Sequence, residues 1–155
     1  MLDLREYPMP FFSEAVTPSA KKEPYKEPAV AAWTAKIAEG DAFVMIAPEY
    51  NHGYSAVLKN AIDVASRPPG KSSFNGRPIG IIGTSPGAHG GVSAVKHLQQ
   101  ILPGISGPIM QQPETYLGGL GDAFDDKGEL IKEPLRDFLN KYLTAFEAWV
   151  AHNAK

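Results

Sequence analysis

The sequence contains no cysteine, and this absence rules out several kinds of protein chemistry. Disulfide bonds, thiolate zinc sites and cysteine nucleophiles are excluded, and the composition predicts a cytoplasmic protein. The chain also has no apolar run long enough to cross a bilayer. Asp3, Arg5 and Glu6 follow Met1 at once, which is not the pattern of a signal peptide. We therefore expect no membrane partner.

The sequence also has no large excess of positive or negative charge. The chain has 15 Lys and Arg against 17 Asp and Glu, a net charge of −2. Because no basic stripe is present, nothing favours nucleic acid as a partner. The 155 residues, 43% of them hydrophobic, are enough for one sizeable core. We expect residues 1–155 to form a single domain.

Short continuous apolar runs predict the strands of this domain. Ala42–Ala47 and Pro78–Gly83 are typical of strands that are covered on both faces. The segment Gly107–Met110 ("GPIM") is predicted as the last strand. The first 28 residues are rich in proline and predict an irregular start with a charged surface loop at 21–27.

Segments with apolar residues at helical spacing lie before or after each of these runs. The apolar stripe of the last helix continues to Val150 and predicts core packing over more than four turns. Strands that alternate with helices predict an α/β fold, with a parallel sheet and helices on both faces. The four predicted helices begin near Pro28, Ser55, Val92 and Leu135.

Two unusual loops follow the two predicted buried strands. Pro48–Gly53 and Thr84–Gly91 both lie at the carboxyl ends of strands, where ligands bind in open α/β sheets. Tyr50 offers an aromatic face, Asn51 offers a donor and an acceptor, and the glycines would let the backbone approach a flat ligand. The alternative is that both are ordinary turns between strand and helix.

The second loop also contains G-x-S-x-G, the nucleophile motif of α/β-hydrolases, at Gly83–Gly87. Asp137 and His152 follow in a chain order that a hydrolase can use. The residue after Ser85 is Pro86, however, which has no backbone N–H for an oxyanion hole. The loss of such a donor costs about 2.7–4 kcal/mol. We expect Ser85 not to be a nucleophile.

Metal and acid–base chemistry have little support in the sequence. His52 and His89 lie in the two loops, but no known metal-binding spacing surrounds them. Asp122, Asp125 and Asp126 precede Lys127-Gly128 and predict a turn, although three acids so close could bind a cation weakly. We assign no catalytic side chain and no metal ligand.

These motifs together resemble the NADPH-dependent FMN reductase family, which includes quinone, azo-dye and chromate reductases. "PEYN" at Pro48–Asn51, followed by "LKNAID" at Leu58–Asp63, is the most specific signature. "TSPGAHGG" at Thr84–Gly91 matches in position and glycine content. "FDDKGEL" at Phe124–Leu130 is similar to the segment before the last helix of the family.

The resemblance implies a flavodoxin-like three-layer α/β/α fold that binds FMN. Electrons would pass from NADPH or NADH through the flavin to a small acceptor such as a quinone, an azo compound or free flavin. The helix at Ser55–Ser66 resembles one that these proteins use to form homodimers or homotetramers. The implied flavin-binding residues are Pro48, Glu49, Tyr50, Asn51, His52, Ser85, Pro86 and Gly87.

The family also begins with a strand, a phosphate loop and a helix that we do not find, so the predicted sheet is incomplete at its N-terminus. The segment Met1–Phe12 is predicted as the end of the second strand and its loop. We favour the explanation that the functional protein has residues before Met1. Alternatively, another segment or partner fills the central position, or the chain is a flavodoxin-like binding or interaction module without a working flavin site.

Overall fold

A small, mostly parallel sheet organises the chain. The computed structural model describes residues 1–15, 25–68, 71–105 and 107–153. The strands are β1 (Phe43–Tyr50), β2 (Gly53–Tyr54), β3 (Ile79–Ser85) and β4 (Tyr116–Gly118). Three of them are parallel, and the very short β2 turns back antiparallel onto the end of β1, giving the order β2-β1-β3-β4.

Helices cover both faces of this sheet, as predicted. Three of them share one large apolar cluster with the sheet residues Met45, Ala47 and Ile81, whereas the fourth packs on Ile82 and Val44 from the other side. The result is three layers. The helices are α1 (Pro28–Ala38), α2 (Ala56–Ala65), α3 (Val92–Ile101) and α4 (Glu133–Asn153).

Side-chain hydrogen bonds fix one end of each of the first two helices and join the helices to each other. The hydroxyl of Ser55 accepts a hydrogen bond from the Leu58 N–H and caps α2. The indole N–H of Trp33 in α1 donates to the Ala61 carbonyl oxygen of α2 at 2.8 Å. Arg77 donates to the carbonyl oxygens of Ile37 and Ala38, so that its guanidinium satisfies the C-terminus of α1.

Two predicted strands differ from the structure. Leu4–Glu6 is a single turn of 3-10 helix capped by Asp3, so the segment Met1–Phe12 does not contain the end of a strand. In the predicted last strand, Ile109 makes only a bridge to Ile79, and the parallel pairing resumes at Tyr116. The apolar run was too short to show that the strand forms several residues later.

Tyr142 is the one buried residue of the last helix among the described residues. Tyr142 is 1% exposed, and its hydroxyl donates to the Ile81 carbonyl oxygen at 3.1 Å. A Cβ at Gly80 would lie 2.6 Å from that hydroxyl, so the close approach of α4 requires glycine there. The prediction that the whole stripe is core was wrong, since Phe138 is exposed and Leu143 is 50% exposed.

One edge of β1 has no neighbouring strand among the described residues. From Phe43 to Pro48 the strand pairs only with β3, and a groove of about 740 Å³ runs along its other edge. Ile46 lies in this edge strand with 55% of its surface exposed. An unpaired strand with an exposed apolar side chain favours self-association.

Some sequence predictions fall outside this description. The predicted charged loop includes Lys21, Lys22 and Glu23, which lie outside the described residues. Within the described part of the chain, no helix has both the length and the apolar content that crossing a membrane requires.

The buried phenol of Tyr142 predicts a loss of stability at high pH. Burial raises the pKa of Tyr142 from 10.0 to about 12. The unfolded chain therefore loses this proton first, and stability falls as the pH rises from about 10 to 12, by about 1.4 kcal/mol per pKa unit. At pH 7 we expect Tyr142→Phe to cost about 1 kcal/mol, the value of one hydrogen bond.

Urea unfolding of both proteins between pH 7 and 11.5 tests this expectation. The advantage of the wild type should shrink above pH 10 and disappear near pH 11, because the variant has no phenol to ionise there. A difference between the two proteins that stays constant across this pH range would contradict the assignment.

The free edge of β1 makes a second prediction. Ile46→Lys should reduce concentration-dependent association, because a charge on an edge strand opposes edge-to-edge pairing. Light scattering at increasing protein concentration measures the effect. Ile131→Lys, at a position that is 56% exposed and outside the strands, is the matched control. Equal association of both variants and the wild type would show that this edge is not used.

Candidate functional site

The two predicted loops lie side by side at the carboxyl edge of the sheet. Pro48 is the register partner of Thr84 in the parallel pair β1–β3, so the residues after them leave the sheet as neighbours. Tyr50 is 63% exposed, and Pro86 and Gly87 are also exposed. The structure thus brings together the two loops that the sequence singled out.

The first loop is a tight hairpin with an unusual backbone. Asn51 and His52 join β1 to β2, and both have positive φ, at 50° and 62°. Two such residues in succession are typical of a type I′ turn, in which Asn-Gly is a preferred pair, and here His52 takes the place of the glycine. Backbone strain of this kind is concentrated at functional sites. The turn points the side chains of both residues into solvent.

The carboxylate of Glu49 is turned inward instead. Its Oε2 accepts hydrogen bonds from the backbone N–H groups of Ser93 at 2.9 Å and Ala94 at 3.3 Å, in the first turn of α3. Its Oε1 lies 3.7 Å from His52 Nδ1. The side chain is only 12% exposed, so it connects the hairpin with the helix that follows the second loop.

Most glycines of the second loop are needed for contacts within the protein. A Cβ at Gly91, where φ is +85°, would lie 2.4 Å from the Thr84 nitrogen. At Gly90 it would lie 2.6 Å from the Tyr116 carbonyl carbon, and at Gly83 it would lie 2.6 Å from the Gly91 oxygen. Packing alone therefore requires glycine at these three positions, and their predicted approach to a ligand stays a prediction. Only Gly87 has open space around it.

The hydrolase residues are not brought together. The hydroxyl of Ser85 donates to the Gly87 carbonyl oxygen at 3.3 Å. Asp137 and His152 both lie on α4, and fifteen residues of helix separate them by about 22 Å. The pair therefore cannot join Ser85 in one triad, which agrees with the expectation drawn from Pro86.

The acidic residues near the last helix are used in a turn. Asp122 forms an ion pair with Lys132 at 2.8 Å, and Asp125 Oδ1 accepts hydrogen bonds from the backbone of Lys127 and Glu129. The predicted turn is present. Across the described ranges, no group of three potential ligands is placed to hold a metal ion.

One motif residue proves to be structural. Asn60, in the middle of "LKNAID", donates to the Pro10 carbonyl oxygen at 3.0 Å and accepts from the Phe12 N–H at 2.7 Å. The amide thereby fastens the N-terminal segment to α2. Sequence reasoning missed this role, because only the fold shows that residues 48 positions apart meet.

Comparisons with known proteins agree with this arrangement. Residues 1–120 match the family model of the NADPH-dependent FMN reductases. The chain belongs to this family. It is 38% identical to a quinone reductase of Pseudomonas putida over 145 residues, which are 94% of this chain and 75% of that protein. It is 40% identical to a 2-hydroxy-1,4-benzoquinone reductase of Burkholderia over 119 residues, 77% of this chain and 65% of that protein.

A solved structure supports the fold independently. The flavoenzyme FerB, an NAD(P)H:(acceptor) oxidoreductase from Paracoccus denitrificans, superposes with a TM-score of 0.81 at 31% identity, covering 96% of this chain and 78% of that one. The family therefore confirms the flavodoxin-like fold, an oxidoreductase function, and FMN and NAD(P)H as the cofactors.

The site fits the ring system of FMN. Tyr50 presents an exposed aromatic side chain beside an exposed loop in which Gly87 leaves space, and a flat aromatic group fits such a surface. Neither Pro48–Tyr54 nor Thr84–Gly91 contains a lysine or arginine. These loops therefore suit the uncharged ring rather than the phosphate group.

The packing of the second loop predicts that alanine will affect stability strongly at Gly91 and weakly at Gly87. Gly91→Ala should lower the free energy of unfolding by roughly 2–5 kcal/mol, because the side chain would have a left-handed backbone and would overlap Thr84. Gly87→Ala should change it by less than about 0.5 kcal/mol, since its surroundings are open. Denaturant unfolding measures both values. Similar losses for the two variants would refute this description of the loop.

Proposed function

We propose that the protein reduces small quinone-type acceptors with electrons from NADPH or NADH, and that the two loops bind the isoalloxazine ring of FMN. One observation carries the proposal: the exposed hairpin at Tyr50–Asn51 lies next to the Ser85–Gly87 segment, in which Pro86 and Gly87 are exposed, at the carboxyl edge of a parallel sheet. Ligands of open α/β sheets bind at this edge. The relatives that are named quinone reductases support this choice of acceptor.

In this proposal the two loops make different contacts with the isoalloxazine ring. Tyr50 supplies an apolar aromatic face, and the amide of Asn51 supplies a donor and an acceptor for the polar edge of the ring. Pro48 and His52 border the ring from the same hairpin. Ser85, Pro86 and Gly87 border it from the other loop, where the missing side chain of Gly87 allows close approach.

The side chains have a binding role rather than a chemical one. When bound, FMN accepts a hydride from NAD(P)H and delivers the electrons to the acceptor. The protein residues hold the ring, exclude water from one side and leave the other side accessible to both substrates. This division explains why the site contains no paired nucleophile and base.

We further propose a cytoplasmic homodimer or homotetramer. The absence of cysteine suits a reducing compartment. The outer surface of α2 carries Val57, which is 57% exposed, and an exposed apolar residue on a helix suits a helix-to-helix contact.

Titration with FMN tests the site, and NADPH oxidation tests the activity. The wild type should shift the visible absorption of FMN and quench its fluorescence at about one flavin per chain. It should oxidise NADPH only when both FMN and a benzoquinone are present. Tyr50→Ala should weaken FMN binding by roughly tenfold, because the free energy of one aromatic contact corresponds to about that ratio of affinities.

Phe11→Ala is the matched control, because Phe11 is an exposed aromatic residue outside both loops. It should bind FMN like the wild type. Bound flavin without NADPH oxidation would refute the reductase proposal. A chain that ignores FMN would favour either a binding module without a working flavin site or a functional protein with further residues, and the same titration on a longer chain would separate these two explanations.

A further inference from the structure

We propose that Glu49 is a positioning residue that holds the hairpin against the start of α3, rather than a residue that contacts the flavin. The inference rests on the proposed function, because it assigns a role within the same site. Glu49 is part of the motif by which the sequence resembles flavin reductases. Its carboxylate nevertheless points away from the exposed surface formed by Tyr50 and Asn51.

The reason begins with the cap of α3. The residue before this helix, Gly91, has a left-handed backbone and no side chain, so it cannot cap the first turn. A capping residue such as serine is excluded there, because any Cβ would overlap the Thr84 nitrogen. The Val92 N–H donates to the His89 carbonyl oxygen at 3.1 Å. The next two N–H groups, those of Ser93 and Ala94, need an acceptor from elsewhere, because Gly91 has no side chain to cap them.

Glu49 supplies that partner from a different strand. Its Oε2 accepts from both Ser93 and Ala94, two successive N–H groups of the first turn. A negative charge is also favourable at this position, since the helix dipole places partial positive charge there. Residues 44 and 45 positions apart are thus joined by one carboxylate oxygen, and the two loops keep a fixed relation.

The contact with His52 is secondary. The two side-chain atoms are 3.7 Å apart, and the imidazole is 91% exposed, so solvent screens the attraction. The partly buried bonds to the α3 backbone determine the position of the carboxylate. Tyr50, Asn51 and His52 follow Glu49 in the chain and are exposed to solvent.

The contact of the Glu49 carboxylate with the N–H groups of Ser93 and Ala94 is called the Glu49 clamp below. Amide hydrogen exchange in the protein without FMN tests this clamp directly. In Glu49→Ala, the N–H groups of Ser93 and Ala94 should exchange at least about tenfold faster than in the wild type, because bonds to a charged acceptor are lost. Glu49→Gln keeps an acceptor oxygen of the same reach and should show a smaller increase. Glu114→Gln is the matched control, since it removes the ion pair with Lys96 in the middle of α3.

FMN affinity then separates positioning from direct contact. If Glu49 positions the loops, the loss of affinity should follow the exchange rates, large for alanine and small for glutamine. Unchanged exchange of Ser93 and Ala94 in the alanine variant would overturn the proposal. So would a glutamine variant that exchanges like the wild type but binds FMN as poorly as the alanine variant.

The experiment remains informative if the alanine variant fails to fold. If Glu49→Ala does not fold, the glutamine variant still predicts slightly faster exchange confined to the first turn of α3, and no change there would overturn the proposal. Because exchange is measured without flavin, the clamp can be confirmed even if the reductase activity is not found.

Discussion

The close contact between the start of α3 and the end of β3 determines the form of the site. Gly91 lies so near Thr84 that no side chain fits between them. This contact fixes the direction in which the second loop leaves the sheet and removes the usual capping side chain from the helix. The cap then has to come from β1, and Glu49 provides it. The two loops are therefore adjacent in register and joined by hydrogen bonds.

The regular elements were predictable because each is encoded by local periodicity. Buried strands at Phe43–Tyr50 and Ile79–Ser85 and all four helices follow from apolar spacing together with Pro28, Ser55 and similar end signals. The position of the two loops at one edge follows from parallel pairing alone. This part of the site needed no knowledge of contacts between distant residues.

The rest of the site depends on contacts that sequence spacing does not contain. Gly87 and Gly91 are alike in the sequence, but only at Gly91 would a Cβ collide with the backbone of β3. The inward orientation of Glu49 depends on where α3 begins relative to β1. The start of β4 at Tyr116 depends on the path of the chain after Ile109, which local apolar content does not specify.

The core is unevenly distributed, and the site is built on its larger part. Among the described residues, seventeen buried hydrophobic residues form the cluster beneath α1, α2 and α3, and only three form the cluster beneath α4. Ala94 and Val95 of α3 and Ala47 of β1 belong to the larger cluster. Both anchors of the Glu49 clamp are therefore fixed by close packing. The exposed residues Ile46 and Leu143 lie on the thinly covered side, so that side contributes little to the position of the loops.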